Sequence, residues 1–205
     1  MKKIRSKNII SSIIVCIVMH TNLAFANSDL ERCRTLISQL SFNEGYAVCK
    51  TAAEQGLAVA QFILGNMYYD GDGVTQDYAE AARWWRDAAE QGLANAQINL
   101  GYMYENGEGV IQDYTEAAKW YRAAAEQAHA VAQYNLGVIY AKGEGVIQDY
   151  LLAHMWFNIS AANGNVSAAE ARNLVSQLMS HDQIAQAQEL ARQCLDSNYT
   201  DCGWK

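Results

Sequence analysis

Proline is missing from all 205 residues. Helices built by this chain are therefore interrupted only by glycine and polar turns. Basic residues are few, and four of them stand at the start as Lys2, Lys3, Arg5 and Lys7. An apolar run from Ile9 to Met19 follows, broken only by Ser11 and Ser12, and then Ala24-Phe25-Ala26. A basic start, a short apolar stretch and a small-x-small end have the form of a secretory signal peptide, residues 1–26, cleaved after Ala26. The run is too short for an anchor, because a bilayer core requires ~20 apolar residues. No second such run follows, so no membrane insertion is expected after cleavage. Taking those four residues from the 15 Lys and Arg leaves 11 against 22 Asp and Glu, a net charge of −11. Such a surface repels phosphate, which excludes nucleic acid as a partner and disfavours anionic membranes.

Local signatures of catalysis are also missing. No Ser-x-x-Lys, Gly-x-Ser-x-Gly or phosphate-binding glycine loop occurs. His129, His154 and His181 are scattered, with no His-x-x-x-His pair, and His129 and His154 are expected on helix surfaces. Asp70-Gly71-Asp72-Gly73 lacks the rest of a calcium loop, and Lys142 replaces Asp70 two copies later. The expectation is a protein that is not an enzyme, with no cofactor and no metal.

Cysteine is sparse. Outside the leader only Cys33, Cys49, Cys194 and Cys202 remain. An even number in an exported chain reads as disulfides, with three connectivities open. The spacing favours Cys33–Cys49 and Cys194–Cys202, since Cys33 and Cys49 are equally far from Ser41, read below as a turn between helices. A zinc site would need further ligands at close spacing, and none is present.

What the chain does have is a period. Gln76-Asp77-Tyr78 returns 36 residues later as Gln112-Asp113-Tyr114 and again as Gln148-Asp149-Tyr150. Leu64-Gly65, Leu100-Gly101 and Leu136-Gly137 keep the same interval. A fixed period of this size marks stacked repeats, which build long binding surfaces. Each copy holds two apolar patterns of helical spacing, such as Leu57 to Tyr69 and Asp77 to Gln91. Between them lies a two-glycine turn, Asp70-Gly71-Asp72-Gly73-Val74, repeated at Asn106 and Lys142. Asp77, Asp113 and Asp149 are N-caps, with Glu80 and Glu116 completing capping boxes. Gly56 and Gly92 end the second helices, and Ala128 takes that place in the third copy, an expected point of strain.

The register extends outward. Ser41 with Glu44 aligns with Asp77 and Glu80, so Ser28 to Gln39 and Phe42 to Gln55 form a divergent first pair. Val166 to Met179 and Asp182 to Leu195 form a fifth pair, capped by Ser180 and Gln183. The resulting domain, 27–205, has an N-terminal capping pair at 28–56, full repeats at 57–92, 93–128 and 129–164, and a C-terminal pair with a disulfide tail at 165–205.

The Ala-Gln-x-x-Leu-Gly-x-Met-Tyr-x-x-Gly-x-Gly-Val pattern stands at Ala60 to Val74, Ala96 to Val110 and, with Ile139 for Met, Ala132 to Val146. Together with the Asp-x-x-x-Ala-x-x-Trp-Tyr run after each Asp, it resembles the Sel1-like repeats, cousins of the tetratricopeptide repeats. The likeness is strong over residues 53–162. Gln183 to Ala191 is similar to the closing helix of exported bacterial members, and the Cys194…Cys202 spacing to that of the cysteine-rich branch, although the three central repeats here have no cysteine. The resemblance implies an all-α fold, an α-solenoid of about five helix-turn-helix hairpins in a right-handed superhelix. It further implies an adaptor for protein complexes, with envelope or host-directed roles in exported bacterial members. Weak β-lactam hydrolysis, described for cysteine-rich relatives, is the least favoured alternative.

On that architecture the first helix of each pair lines the inner face. Its expected groove residues are Phe62, Asn66 and Tyr69, then Ile98, Asn99, Tyr102 and Glu105, then Tyr134, Asn135 and Val138. Asn amides suit an extended backbone, and tyrosines offer area with a hydroxyl. The paired aromatics Trp84-Trp85, Trp120-Tyr121 and Trp156-Phe157 fall on the second helix between alanines and are expected in the core rather than as a sugar-stacking row. The expected function is a periplasmic or secreted scaffold that holds a protein or peptide. Binding of cell-envelope glycan or peptidoglycan fragments is the alternative.

Overall fold

The computed structural model describes residues 27–202. The expected signal peptide and residues 203–205 lie outside the described residues. The chain divides into two compact units, Met1–Gln76 and Asp77–Lys205. The described part of the first holds α1 (residues 27–38), α2 (Phe42–Glu54) and α3 (Ala58–Asp70). The second holds α4 (Tyr78–Glu90), α5 (Ala94–Asn106), α6 (Tyr114–Ala125), α7 (Ala130–Lys142), α8 (Tyr150–Ala162), α9 (Ala168–Ser176) and α10 (His181–Asp196). No strand occurs among the described residues.

The repeated Gln-Asp-Tyr is a device for joining two helices. The glutamine reaches back to the end of the first helix: Gln76 Nε2 donates to the Tyr69 carbonyl at 2.7 Å, Gln112 to Glu105 at 2.8 Å and Gln148 to Ala141 at 2.9 Å. The aspartate reaches forward. Asp113 Oδ1 accepts from the backbone of Thr115 at 2.9 Å and Glu116 at 3.1 Å, and Asp77 and Asp149 cap their helices in the same way. Each cap contributes about 1 kcal/mol.

The capping boxes expected at Glu80 and Glu116 do not form. Glu80 turns forward to Arg83, 2.7 Å away, and Glu116 to Lys119, 3.2 Å away. A side chain bound three residues ahead is not available to the backbone three residues behind. Ser41 departs too: its side chain makes no cap, and the turn is closed instead by Leu40 at φ 58°. Ser180 and Gln183 do form the complete reciprocal box.

The second glycine of each turn does more than bend the chain. A Cβ on Gly109 would lie 2.3 Å from the carbonyl of Tyr78, and one on Gly145 2.3 Å from that of Tyr114. In the first unit Gly73 meets Phe42 in the same way, at 2.6 Å. Backbone therefore packs directly on the start of the preceding second helix. The expected strain at residue 128 is also present, for Ala128 holds φ 64° where Gly56 and Gly92 have 85° and 88°.

Alanines let the helices of the second unit approach closely. Ala81, Ala88, Ala117, Ala124, Ala132 and Ala153 are all fully buried. In this unit the glycines of two Leu-Gly pairs, Gly101 and Gly137, form notches for an aromatic ring from the following helix. A Cβ on Gly101 would sit 2.8 Å from the ring of Tyr121, and one on Gly137 2.7 Å from that of Phe157. Buried Gln97 and Gln133 then donate to the carbonyls of Ala89 and Ala125, both at 3.1 Å, satisfying the ends of α4 and α6. Gln127 and Asn163 close onto the oxygens of those two glutamines at 2.8 and 2.9 Å.

The last two helices keep the expected all-α plan but pack differently from the earlier pairs. The elements α5 and α6 pack together as a pair, as do α7 and α8, but α9 and α10 both pack on α8 and scarcely touch each other. The sequence explains why. Asn173 stands 36 residues after Gly137, and Gln193 stands 36 after Phe157, so notch and ring are lost together. Instead α10 lays Ala187, Ala191 and Cys194 inward, and Cys194 and Cys202 are bridged behind it. Leu174 on α9 and Leu178 in the turn after it stay exposed. In the first unit the Cys33–Cys49 bridge ties α1 to α2 with 4.9 Å between Cα atoms.

Candidate partner-binding face

The helices α5 and α7 present matching positions, and three expected groove residues converge there on one hydroxyl. Tyr121 projects from α6 with its ring over Gly101 and is fully buried. Its hydroxyl donates to Glu105 Oε2 at 2.7 Å and is hydrogen-bonded by the Asn135 amide. Tyr102 lies near enough to act on it electrostatically. Burial pushes the Tyr121 hydroxyl well above its ordinary pKa, and the Glu105 hydrogen bond and charge add to the shift. The phenol is thus a fixed neutral donor that aims one carboxylate.

Around this cluster the surface is aromatic and aliphatic. Tyr102 is 43% exposed. Ile98, Tyr134 and Val138 are half-buried and pack against the core, Tyr134 with its ring 5.5 Å from that of Phe157. Asn99 is half-buried as well. Phe62, Asn66 and Tyr69 occupy the corresponding positions of α3 in the first unit, also half-buried. Of the three expected asparagines, Asn135 serves the Tyr121 cluster.

Tyr121 itself was expected in the core, and it is there. Its second role as a positioning hydroxyl is visible in the sequence only as a substitution, since the other copies carry Trp85 and Phe157 at that place. The remaining paired aromatics are consumed by packing. Trp84, Trp85, Trp156 and Phe157 are buried, and Lys119 covers the ring of Trp120 at 5.5 Å. They offer no open row for stacking sugars.

The histidines are placed differently from expectation in one case. His129 is half-buried at the start of α7, with Nε2 3.1 Å from Asn95 Oδ1. His154 is not on a surface: it is 1% exposed, in α8, where the two preceding copies have Ala82 and Ala118. Burial, and then the charge of Arg172, hold its pKa below the usual histidine value. Among the described residues no group of three His, Cys, Asp or Glu is placed to hold a metal ion, and no helix is long and apolar enough to cross a membrane.

Residues 58–93, 94–129 and 130–165 each match the Sel1 repeat. A solved Sel1 repeat protein from Oxalobacter formigenes is 46% identical, with a TM-score of 0.57, over 61% of this chain and 94% of that one. A protective antigen of uropathogenic Escherichia coli strains, which displays an SLR fold, is 34% identical with a TM-score of 0.68 over 84% of this chain. The chain spans only 40% of that antigen's length. It has no significant match among curated proteins. The three matched repeats cover more than half of the chain, which therefore belongs to the Sel1 repeat family.

Proposed function

We propose that this protein is an exported scaffold that holds a protein or peptide partner on the first-helix faces of its repeats. Sel1 repeat proteins in general act as scaffolds for protein–protein interaction. The observation that carries the reading for this chain is the convergence of Tyr102, Glu105 and Asn135 from two neighbouring helices on the buried Tyr121 hydroxyl. A fixed polar group within an apolar, partly exposed surface is the form that specific recognition takes. The leader at residues 1–26 and the two bridged cysteine pairs support a periplasmic or secreted location.

A photo-crosslinking residue in place of Tyr102, introduced in living cells, tests the proposal. One protein adduct should appear that is absent when the probe stands at exposed Glu90. Equal labelling from both positions would remove the scaffold reading. Retention of the purified protein on peptidoglycan, with no protein captured, would replace it with the glycan alternative.

A further inference from the structure

The Glu105 carboxylate is placed in a way that specifies its ligand. It is half-buried on the face just described, and its Oε2 is held at 2.7 Å by a hydroxyl that is itself fully buried. Its Oε1 has no hydrogen-bond partner among the described residues. Arg86 donates to Tyr104 at 2.6 Å, Arg122 to Tyr140 at 2.8 Å, and Lys142 pairs with Glu144 at 3.3 Å. No Lys, Arg or His forms an ion pair with Glu105 among the described residues. The repeat gives it no structural precedent, since the matching residues in the other copies are Tyr69 and Ala141. Only its backbone oxygen, bonded by Gln112, takes part in the shared joint.

We propose that Glu105 is the anchor for a cationic side chain, lysine or arginine, in an extended peptide segment of the partner. This deepens the scaffold reading and rests on it. Two features besides the carboxylate fit a cation. Tyr102 presents an exposed ring next to the same hydroxyl, giving an aromatic surface for an ammonium or guanidinium. The chain outside the leader carries a net charge of −11, which draws a basic segment in and repels an acidic one. Ile98, Tyr134 and Val138, half-buried on α5 and α7, would receive the apolar neighbours of that cation. Pre-orientation by Tyr121 matters here. A carboxylate held in place loses less freedom on pairing than one that rotates in water.

The experiment is selection of a random dodecapeptide phage library on the purified protein. Chosen peptides are then synthesised, along with versions in which the basic residue is norleucine, and titrated against wild type and Glu105→Gln by fluorescence anisotropy. Enriched peptides should share one Lys or Arg flanked by apolar residues. Norleucine should weaken binding to wild type by about tenfold, in line with a charge-assisted hydrogen bond, and should leave binding to Glu105→Gln unchanged. This comparison within each protein remains informative even if the variant is less stable. Tyr121→Phe, which removes only the orienting hydroxyl, should lie between the two. Enriched peptides without a common basic residue, or with equal norleucine losses in both proteins, overturn the anchor while leaving the scaffold reading intact. Enrichment of no peptide at all overturns both.

Discussion

Gly137 and Phe157 are in backbone-to-ring contact: a methyl group on the glycine would lie 2.7 Å from the ring's Cε1. Two effects compete on replacing this glycine by alanine. Helix propensity favours alanine by about 1 kcal/mol, and overpacking costs about 1–3 kcal/mol. The glycine sits in a fully closed place, so the second effect wins. Gly137→Ala should lower the urea-unfolding free energy by about 1–2 kcal/mol. Adding Phe157→Leu to it should recover more stability than Phe157→Leu costs alone. Additive losses would show that ring and notch are not coupled.

The opposite outcome is expected at residue 128. Ala128 holds φ 64°, while Gly92 at the equivalent place has φ 88° and nothing within 4 Å of where its Cβ would be. The cost there is conformational, not steric crowding by neighbours. Ala128→Gly should raise stability by up to about 1 kcal/mol, because relief of the left-handed strain exceeds the entropy glycine loses on folding. Gly92→Ala should lower it by a similar amount, read as shifts of the urea midpoint.

The helix starts give a third contrast. Asp113→Ala removes a carboxylate that accepts two backbone hydrogen bonds and should cost about 1 kcal/mol. Glu116→Ala removes only an exposed pair with Lys119 and should cost less than about 0.5 kcal/mol. Equal losses would mean that the capping box forms in solution after all.

Much of this was legible in the sequence, and the limits have physical reasons. The period of Gln76, Gln112 and Gln148 fixed the joints, because each repeats the same short-range hydrogen bonds. Glu80 misled, since a capping box and an ion pair to Arg83 have the same spacing and differ only in direction along the helix. The position of α10 was harder to foresee. Asn173 and Gln193 break the notch and the ring separately, and only packing reveals that the two losses release one helix from another. Of the groove residues, Tyr102, Glu105 and Asn135 could be placed on one face by spacing. The hydroxyl of Tyr121 that joins them comes from the opposite helix, where spacing alone reads it as core.

His154 supplies a pH dependence. Its folded pKa is below the unfolded value of 6.5, so between the two the unfolded chain binds a proton that the folded chain refuses. Stability from this residue is therefore full above pH 6.5 and is lost as pH falls towards the folded pKa, at most about 1.4 kcal/mol per unit. His129 is shifted in the same direction by burial and adds to the slope. Unfolding free energies measured from pH 7 to 4.5 should fall less steeply in His154→Gln than in wild type. Parallel curves would show that the buried ring does not report on this window.

Because Gly109 and Gly145 bring main chain against main chain, the spacing between neighbouring hairpins of the second unit does not depend on which side chains face outward. The groove positions on α5 and α7 can then change identity while their separation is preserved. Selection can rewrite what such a ruler measures without redrawing its marks.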